Sequence, residues 1–263
     1  MLIVDVHAHL DHKLIYPNKI DNIINNSRKN NVKVIITNGV NPETNRITLK
    51  LAEKYKDIVK AALGLYPIDA LNTEIKKGDY PLKNNKVDVD SEINFIEKNR
   101  NKIIAIGEIG LDYYWDTTRH KEQQENFRKL IELSERIKKP VIVHSRRAEQ
   151  DTINVLEQYK LKKVVMHCFS GNSTLVKKIQ DNDWYFSIPC NIVRSEQFQK
   201  IVKTTNINRI LTETDAPFLS PFKNKINEPS FILETIKKIA ELKNMDKEEV
   251  ANNIFMNYQD LFL

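Results

Sequence analysis

The side chains in this sequence best suited to do chemistry appear almost at once: the apolar run Leu2-Ile3-Val4-Asp5-Val6 leads into His7-Ala8-His9. A run of this kind predicts a strand, and residues two apart on a strand point to the same face. His7 and His9 would project together from the strand's C-terminal end, a spacing suited to two ligands on one metal ion. Two imidazoles do not make a metal site alone. The remaining ligands have to come from elsewhere in the chain.

Strand-like runs recur through the sequence with helical patterns between them. After the opening run they are Val32–Asn38, Val59–Leu65, Ile103–Ile109, Val141–His144, Lys163–Phe169, Trp184–Ile188 and Arg209–Asp215. The segments between them carry apolar residues at helical spacing, as in Gln123, Phe127, Leu130, Ile131, Leu133 and Ile137. Asn172 or Ser173 before Leu175, Ser195 before Phe198 and Asp246 before the final helix are expected N-caps, and Pro140 stops a helix ahead of the fifth strand. Eight β-α units fit a (β/α)8 barrel, an α/β fold. An open doubly wound sheet would more often carry a glycine-rich phosphate turn after its first strand, and none follows His9. The length of 263 residues suits one domain over 1–263. The longest interruption, from Ile68 to about Asp90, includes Lys76-Lys77-Gly78-Asp79-Tyr80-Pro81. It is expected to form a short helix and an exposed excursion on the catalytic rim.

In such a barrel the chemistry sits at the C-terminal ends of the strands. His7 and His9 end the first strand, Glu108 lies near the end of the fourth, His144 ends the fifth, His167 the sixth and Asp215 the eighth. Four of the six histidines are thus strand-terminal, while His12 and His120 fall in a loop and at a helix start. Taken singly, a strand-ending histidine is more often a hydrogen-bonded core residue than a ligand, and Glu108 alone could cap a helix. Gathered in one ring, these groups would cost roughly several kcal/mol without a compensating charge, which a cation supplies. A catalytic zinc needs only three protein ligands, so six candidates imply two divalent ions. Glu108 would bridge an ion held by His7, His9 and Asp215 to a second held by His144 and His167. Asp215 would be both ligand and proton acceptor. Such donors accept Zn²⁺, Mn²⁺ or Mg²⁺.

The set Asp5-Val-His7-Ala-His9, Gly107-Glu108-Ile109-Gly110-Leu111-Asp112-Tyr113, His144-Ser-Arg146, His167-Cys168-Phe169-Ser170-Gly171 and Glu213-Thr214-Asp215-Ala216-Pro217 closely resembles the TatD family of metal-dependent deoxyribonucleases. Nearly the whole chain is covered, including Asn227-Glu228-Pro229, with the motifs in the family's order. The resemblance implies an amidohydrolase-like barrel, metal positions at the six residues above, and hydrolysis of DNA phosphodiesters, largely as a 3′-to-5′ exonuclease on single-stranded ends. Arg146 matches the arginine after the strand-five histidine, where a guanidinium suits clamping a phosphate; its bland alternative is a surface salt bridge. One departure is Gly64-Leu65-Tyr66-Pro67, where many members carry Gly-x-His-Pro. Tyr66 is expected to face substrate, donating to a phosphate oxygen or stacking on a base. Asp112, Tyr113 and Trp115 are placed at the rim, with Asp112 a substrate contact. Glu213 would orient a ligand histidine.

Two other classes remain on the sequence. A metal-dependent amidohydrolase or esterase of small molecules would share the barrel, although two-metal members often carry a carboxylated lysine where this chain has Glu108. A non-enzymatic metal-binding scaffold would be expected to have lost a ligand, and none is missing. The net charge of +6 suits a polyanion, although lysines interleaved with glutamates on the expected helices account for much of it. No apolar run approaches the roughly 20 residues of a membrane span. The N-terminal apolar stretch is interrupted by Asp5, His7 and His9, so a cytoplasmic protein without a secretory leader is expected, with Cys168 and Cys190 reduced.

Overall fold

The structure, a computed structural model, describes residues 1–71 and 86–263. Eight strands lie in one sheet, each parallel to the next in chain order: β1 (Ile3–Ala8), β2 (Val32–Asn38), β3 (Val59–Leu63), β4 (Ile103–Asp112), β5 (Val141–Arg146), β6 (Val164–His167), β7 (Tyr185–Pro189) and β8 (Ile210–Glu213). A helix follows each strand around the outside: α1 (Ile20–Lys29), α2 (Pro42–Lys54), α3 (Val89–Lys98), α4 (His120–Ile137), α5 (Glu149–Leu156), α6 (Ser173–Asp181), α7 (Glu196–Thr204) and α8 (Ile232–Lys243), with α9 (Lys247–Phe262) added at the end. This is the (β/α)8 barrel the alternation predicts. Much of the expected rim excursion, including Lys76 to Pro81, lies outside the described residues; on its flanks, Asp69–Leu71 form a 3-10 turn and Val89 begins α3.

Local chemistry explains where the helices start. Asn41, Asp88, Asn172, Ser195 and Asp246 each accept a backbone N–H of the first turn, and Asn41 is followed by Pro42 at the first helical position. The apolar stripe of α4 turns inward as expected, with Phe127, Leu130, Ile131 and Leu133 buried.

The barrel is nearly closed, and its last seam is made largely by side chains. The hydroxyl of Thr212 donates to the Val4 carbonyl at 2.6 Å. Buried Asp5 accepts from the Thr214 N–H at 2.9 Å, from the Thr214 hydroxyl at 2.5 Å and from the His7 N–H at 3.2 Å. The Asp215 N–H then donates to the His7 carbonyl at 2.8 Å. These bonds replace a regular ladder, which is why β8 ends at Glu213, short of the expected Asp215. They also fix Asp215 beside His7.

β4 departs the other way and runs three residues past its expected end at Ile109. Gly110 makes this possible: its φ is +145°, and a Cβ there would stand 2.0 Å from the His144 carbonyl oxygen of β5. Gly64, just beyond β3, permits an equally close approach, since its Cβ would lie 2.5 Å from the Glu108 carbonyl oxygen.

Candidate metal centre

All six expected ligands converge at the C-terminal mouth of the barrel, and Glu108 stands in the middle. Its Oε2 lies 3.5 Å from His7 Nε2 and 3.3 Å from His9 Nε2. Its Oε1 lies 2.8 Å from His144 Nδ1 and 3.9 Å from His167 Nε2. Asp215 Oδ1 completes the first side, 3.6 Å from His7 Nε2 and 3.4 Å from His9 Nε2. The two imidazole nitrogens of His7 and His9 are 3.2 Å apart. Each side of the Glu108 carboxylate thus faces its own set of donors.

Three of the imidazoles are aimed by what holds their other nitrogen. His9 Nδ1 donates to the Asn38 carbonyl at 3.0 Å, leaving Nε2 to the centre. His167 Nδ1 is 2.8 Å from Glu213 Oε2, and the same oxygen accepts from the Ser187 hydroxyl. Glu213 therefore sits where the sequence places it, behind a histidine rather than in the ring. His144 Nε2 lies 3.1 Å from Asp112 Oδ2. A carboxylate on the far nitrogen fixes ring orientation and raises the basicity of the near one.

Asp112, expected to meet substrate, is fully buried behind His144. The cause is the extension of β4, which carries Asp112 into the barrel wall. Its Oδ1 accepts from the backbone of Tyr114 and Trp115 at 2.9 and 3.0 Å, and Oδ2 accepts from the Tyr66 hydroxyl at 2.5 Å. The side chain of Gln123 grips both backbone groups of Asp112, at 2.8 and 2.9 Å. Tyr66, also buried, has its hydroxyl 3.5 Å from His144 Nε2. Arg146 is exposed on the rim, its guanidinium 3.9 Å from the ring centre of Tyr114 and 5.5 Å from that of Trp115, with Arg147 also over Tyr114 at 4.8 Å. Tyr113 lies inside, its hydroxyl donating to Asp151 at 3.0 Å. Gln123 had a signal in the sequence, as a polar residue on an apolar stripe; Tyr114 and Phe218, beside His9, had none specific to a site.

The donor set fits a divalent cation. His7, His9 and Glu108 place one donor atom each within reach of a single ion, and so do His7, His167 and Asp215. Glu108, His144 and His167 form a third such group.

The electrostatics agree. Burial alone would strip a proton from His9, yet hydrogen bonds to Asp215 and Glu108 hold its pKa well above the ordinary value. His144 behaves alike: burial opposes its charge, but Asp112 and Glu108 raise it to about 9. Burial and the neighbouring His167 push His7 down to about 3, so it is neutral. Without metal the centre stores protons at neutral pH, and a metal needs those lone pairs. Titrating a divalent ion into metal-free protein at pH 7 should therefore release protons, and apparent affinity should rise with pH toward about 9, where His144 gives up its own. Calorimetry in buffers of different ionisation enthalpy measures this, and binding heat independent of buffer would contradict it.

With this geometry the chain matches a protein family described as TatD related DNase over residues 4–263. It is 31% identical over 269 residues to a metal-dependent hydrolase of Bacillus subtilis, YabD, covering 99% of both chains. It is 33% identical over 264 residues to human deoxyribonuclease TATDN3, covering 99% of this chain and 94% of that one. The crystal structure of YjjV, a TatD homologue from Escherichia coli, superposes with a TM-score of 0.85 at 24% identity, over 99% of this chain and 97% of that one.

Proposed function

This chain belongs to the TatD-related DNase family and is a metal-dependent hydrolase, and from that premise we propose that it cleaves DNA phosphodiesters from single-stranded 3′ ends using two divalent ions. The observation that carries the reading is the placement of Glu108, with one carboxylate oxygen turned to His7 and His9 and the other to His144 and His167. A carboxylate so placed suits a bridge between two cations. Zn²⁺, Mn²⁺ and Mg²⁺ are all compatible with these donors.

When bound, the ions supply positive charge that activates a water and offsets charge on the phosphoryl oxygens. The protein does the rest by position. His7, His9 and Asp215 would hold one ion, His144 and His167 the other, and Glu108 would serve both. Asp215 remains ionised: burial would raise its pKa, but the hydrogen bond from His9 and the charge of His167 bring it below the usual range. Its side chain keeps 16% exposure against 5% for Glu108. Asp215 is thus the carboxylate able to take a proton from an attacking water. Arg146, stacked on Tyr114 at the rim, is a preset phosphate clamp. Asp112 and Glu213 act through histidines, holding His144 and His167 in place, and Tyr66 acts through Asp112.

Residues 1–263 work as one catalytic unit in this reading, and a cytoplasmic location is part of the same proposal. Among the described residues no helix is long and apolar enough to cross a membrane. The deciding experiment follows nucleotide release from labelled single-stranded DNA by metal-stripped protein resupplied separately with Mg²⁺, Mn²⁺ or Zn²⁺. Metal-dependent release that begins at the 3′ end is expected. No release with any ion, from folded protein that still binds metal, would instead point to ester or amide bonds of a small molecule.

A further inference from the structure

Phe218 is a large apolar side chain left 46% exposed beside the metal centre. Its ring lies edge-on to two histidines, with centroids 6.5 Å from His9 and 5.3 Å from His12. The His12 ring is itself oriented, because its Nδ1 accepts the Leu14 N–H at 3.2 Å.

Packing does not explain the exposed ring, because the backbone holds this loop without it. The Phe218 N–H donates to the Asp215 carbonyl at 2.8 Å, and the Asn227 N–H to the Pro217 carbonyl at 3.1 Å. Asn227 Nδ2 donates to the Thr214 carbonyl at 2.7 Å, and the Arg194 guanidinium holds the carbonyls of Ser220 and Pro221 at 2.7 and 3.2 Å. A loop fixed this firmly presents Phe218 on a rigid support. Along the chain, Lys223 and Lys225 on the same loop and Lys13 beside His12 are exposed, and 217–226 contain no acidic residue.

We propose that Phe218 is a base-stacking platform, on which the nucleobase beside the reacting phosphate lies while the phosphate sits at the metal centre. This rests on the nucleic-acid reading of the site. An aromatic face accepts any base, so the platform confers a preference for nucleotides over other phosphate esters without reading sequence. It acts with Arg146 and Tyr114, which flank the centre from the strand-four and strand-five side.

The test compares binding of dAMP and of 2-deoxyribose 5-phosphate, identical at the phosphate and differing in the base, to metal-loaded protein by calorimetry. Wild type should prefer dAMP. Phe218→Ala should weaken dAMP binding by roughly 5- to 150-fold and leave 2-deoxyribose 5-phosphate unchanged, which also reports that the centre is intact. Phe218→Trp should retain the preference. Phe218→Leu, which keeps apolar bulk without a π face, should lose it and serves if the alanine variant does not fold. Equal losses for both ligands, or no preference in wild type, would overturn the platform. Because binding needs no turnover, intact base preference in a protein that releases no nucleotides would count against the exonuclease reading and still support the platform.

Discussion

Glu108→Ala is expected to abolish metal-dependent hydrolysis, lowering turnover by roughly 10³-fold or more, and to reduce bound metal on both sides of the centre. Its carboxylate serves both donor sets: Oε2 faces His7 and His9, and Oε1 faces His144 and His167. Alanine therefore removes one donor from each. The variant should still fold. Burial opposes the charge of Glu108, but hydrogen bonds from His144, His7 and His9 hold its pKa well below normal. The same contacts help keep His9 and His144 protonated. Once the carboxylate is gone, those imidazoles can turn neutral instead of remaining as buried unpaired cations. Glu108→Gln should fall between, because an amide presents an acceptor to one side only. Metal analysis after gel filtration, beside the DNA assay, checks both variants. A full metal complement together with full activity in Glu108→Ala would remove the bridge from the mechanism.

Asp112→Ala should weaken metal binding by about 10- to 100-fold without touching any ligand. It takes away the acceptor that orients His144 through Nε2 and removes the bonds that Asp112 accepts from the Tyr66 hydroxyl and from the Tyr114 and Trp115 amides. Losing a hydrogen bond costs about 0.5–1.5 kcal/mol, so the melting temperature should fall as well. Tyr66→Phe separates the two effects: the carboxylate stays on His144 and loses one donor, so affinity should change by less than about tenfold. Competition with a chromophoric chelator gives both constants. Unchanged affinity in folded Asp112→Ala would mean that His144 needs no such support.

The gathering of these side chains at one mouth was legible because strand ends are legible. His7, His9, His144, His167 and Asp215 close apolar runs whose period is unmistakable, and the barrel brings such ends together whatever its details. Asp112 was not, because its surroundings depend on where β4 stops. Gly110 lets that strand continue to Asp112, moving a carboxylate from the expected rim into the wall. Tyr66 follows the same logic: its sequence neighbours say nothing of Asp112, which is 46 residues away. Asp5 reads as an interruption of an apolar run, and only the closure of the barrel shows that it ties the first strand to the residue before Asp215. Glu213 was placed beside Asp215 by strand alternation, but β8 ends at Glu213, and its place behind His167 comes from the barrel instead.

The seam between β1 and β8 also bears on when the enzyme becomes active during synthesis. Asp5 and Thr214 are 209 residues apart, so the first and last strands can meet only after nearly the whole chain has left the ribosome. A shortened translation product ending before Asp215 would lack a ligand of the first donor set and the partners that steady His7. Activity of the kind proposed therefore awaits synthesis through at least Asp215, and a chain stopped short of it is an incomplete tool rather than an unregulated one.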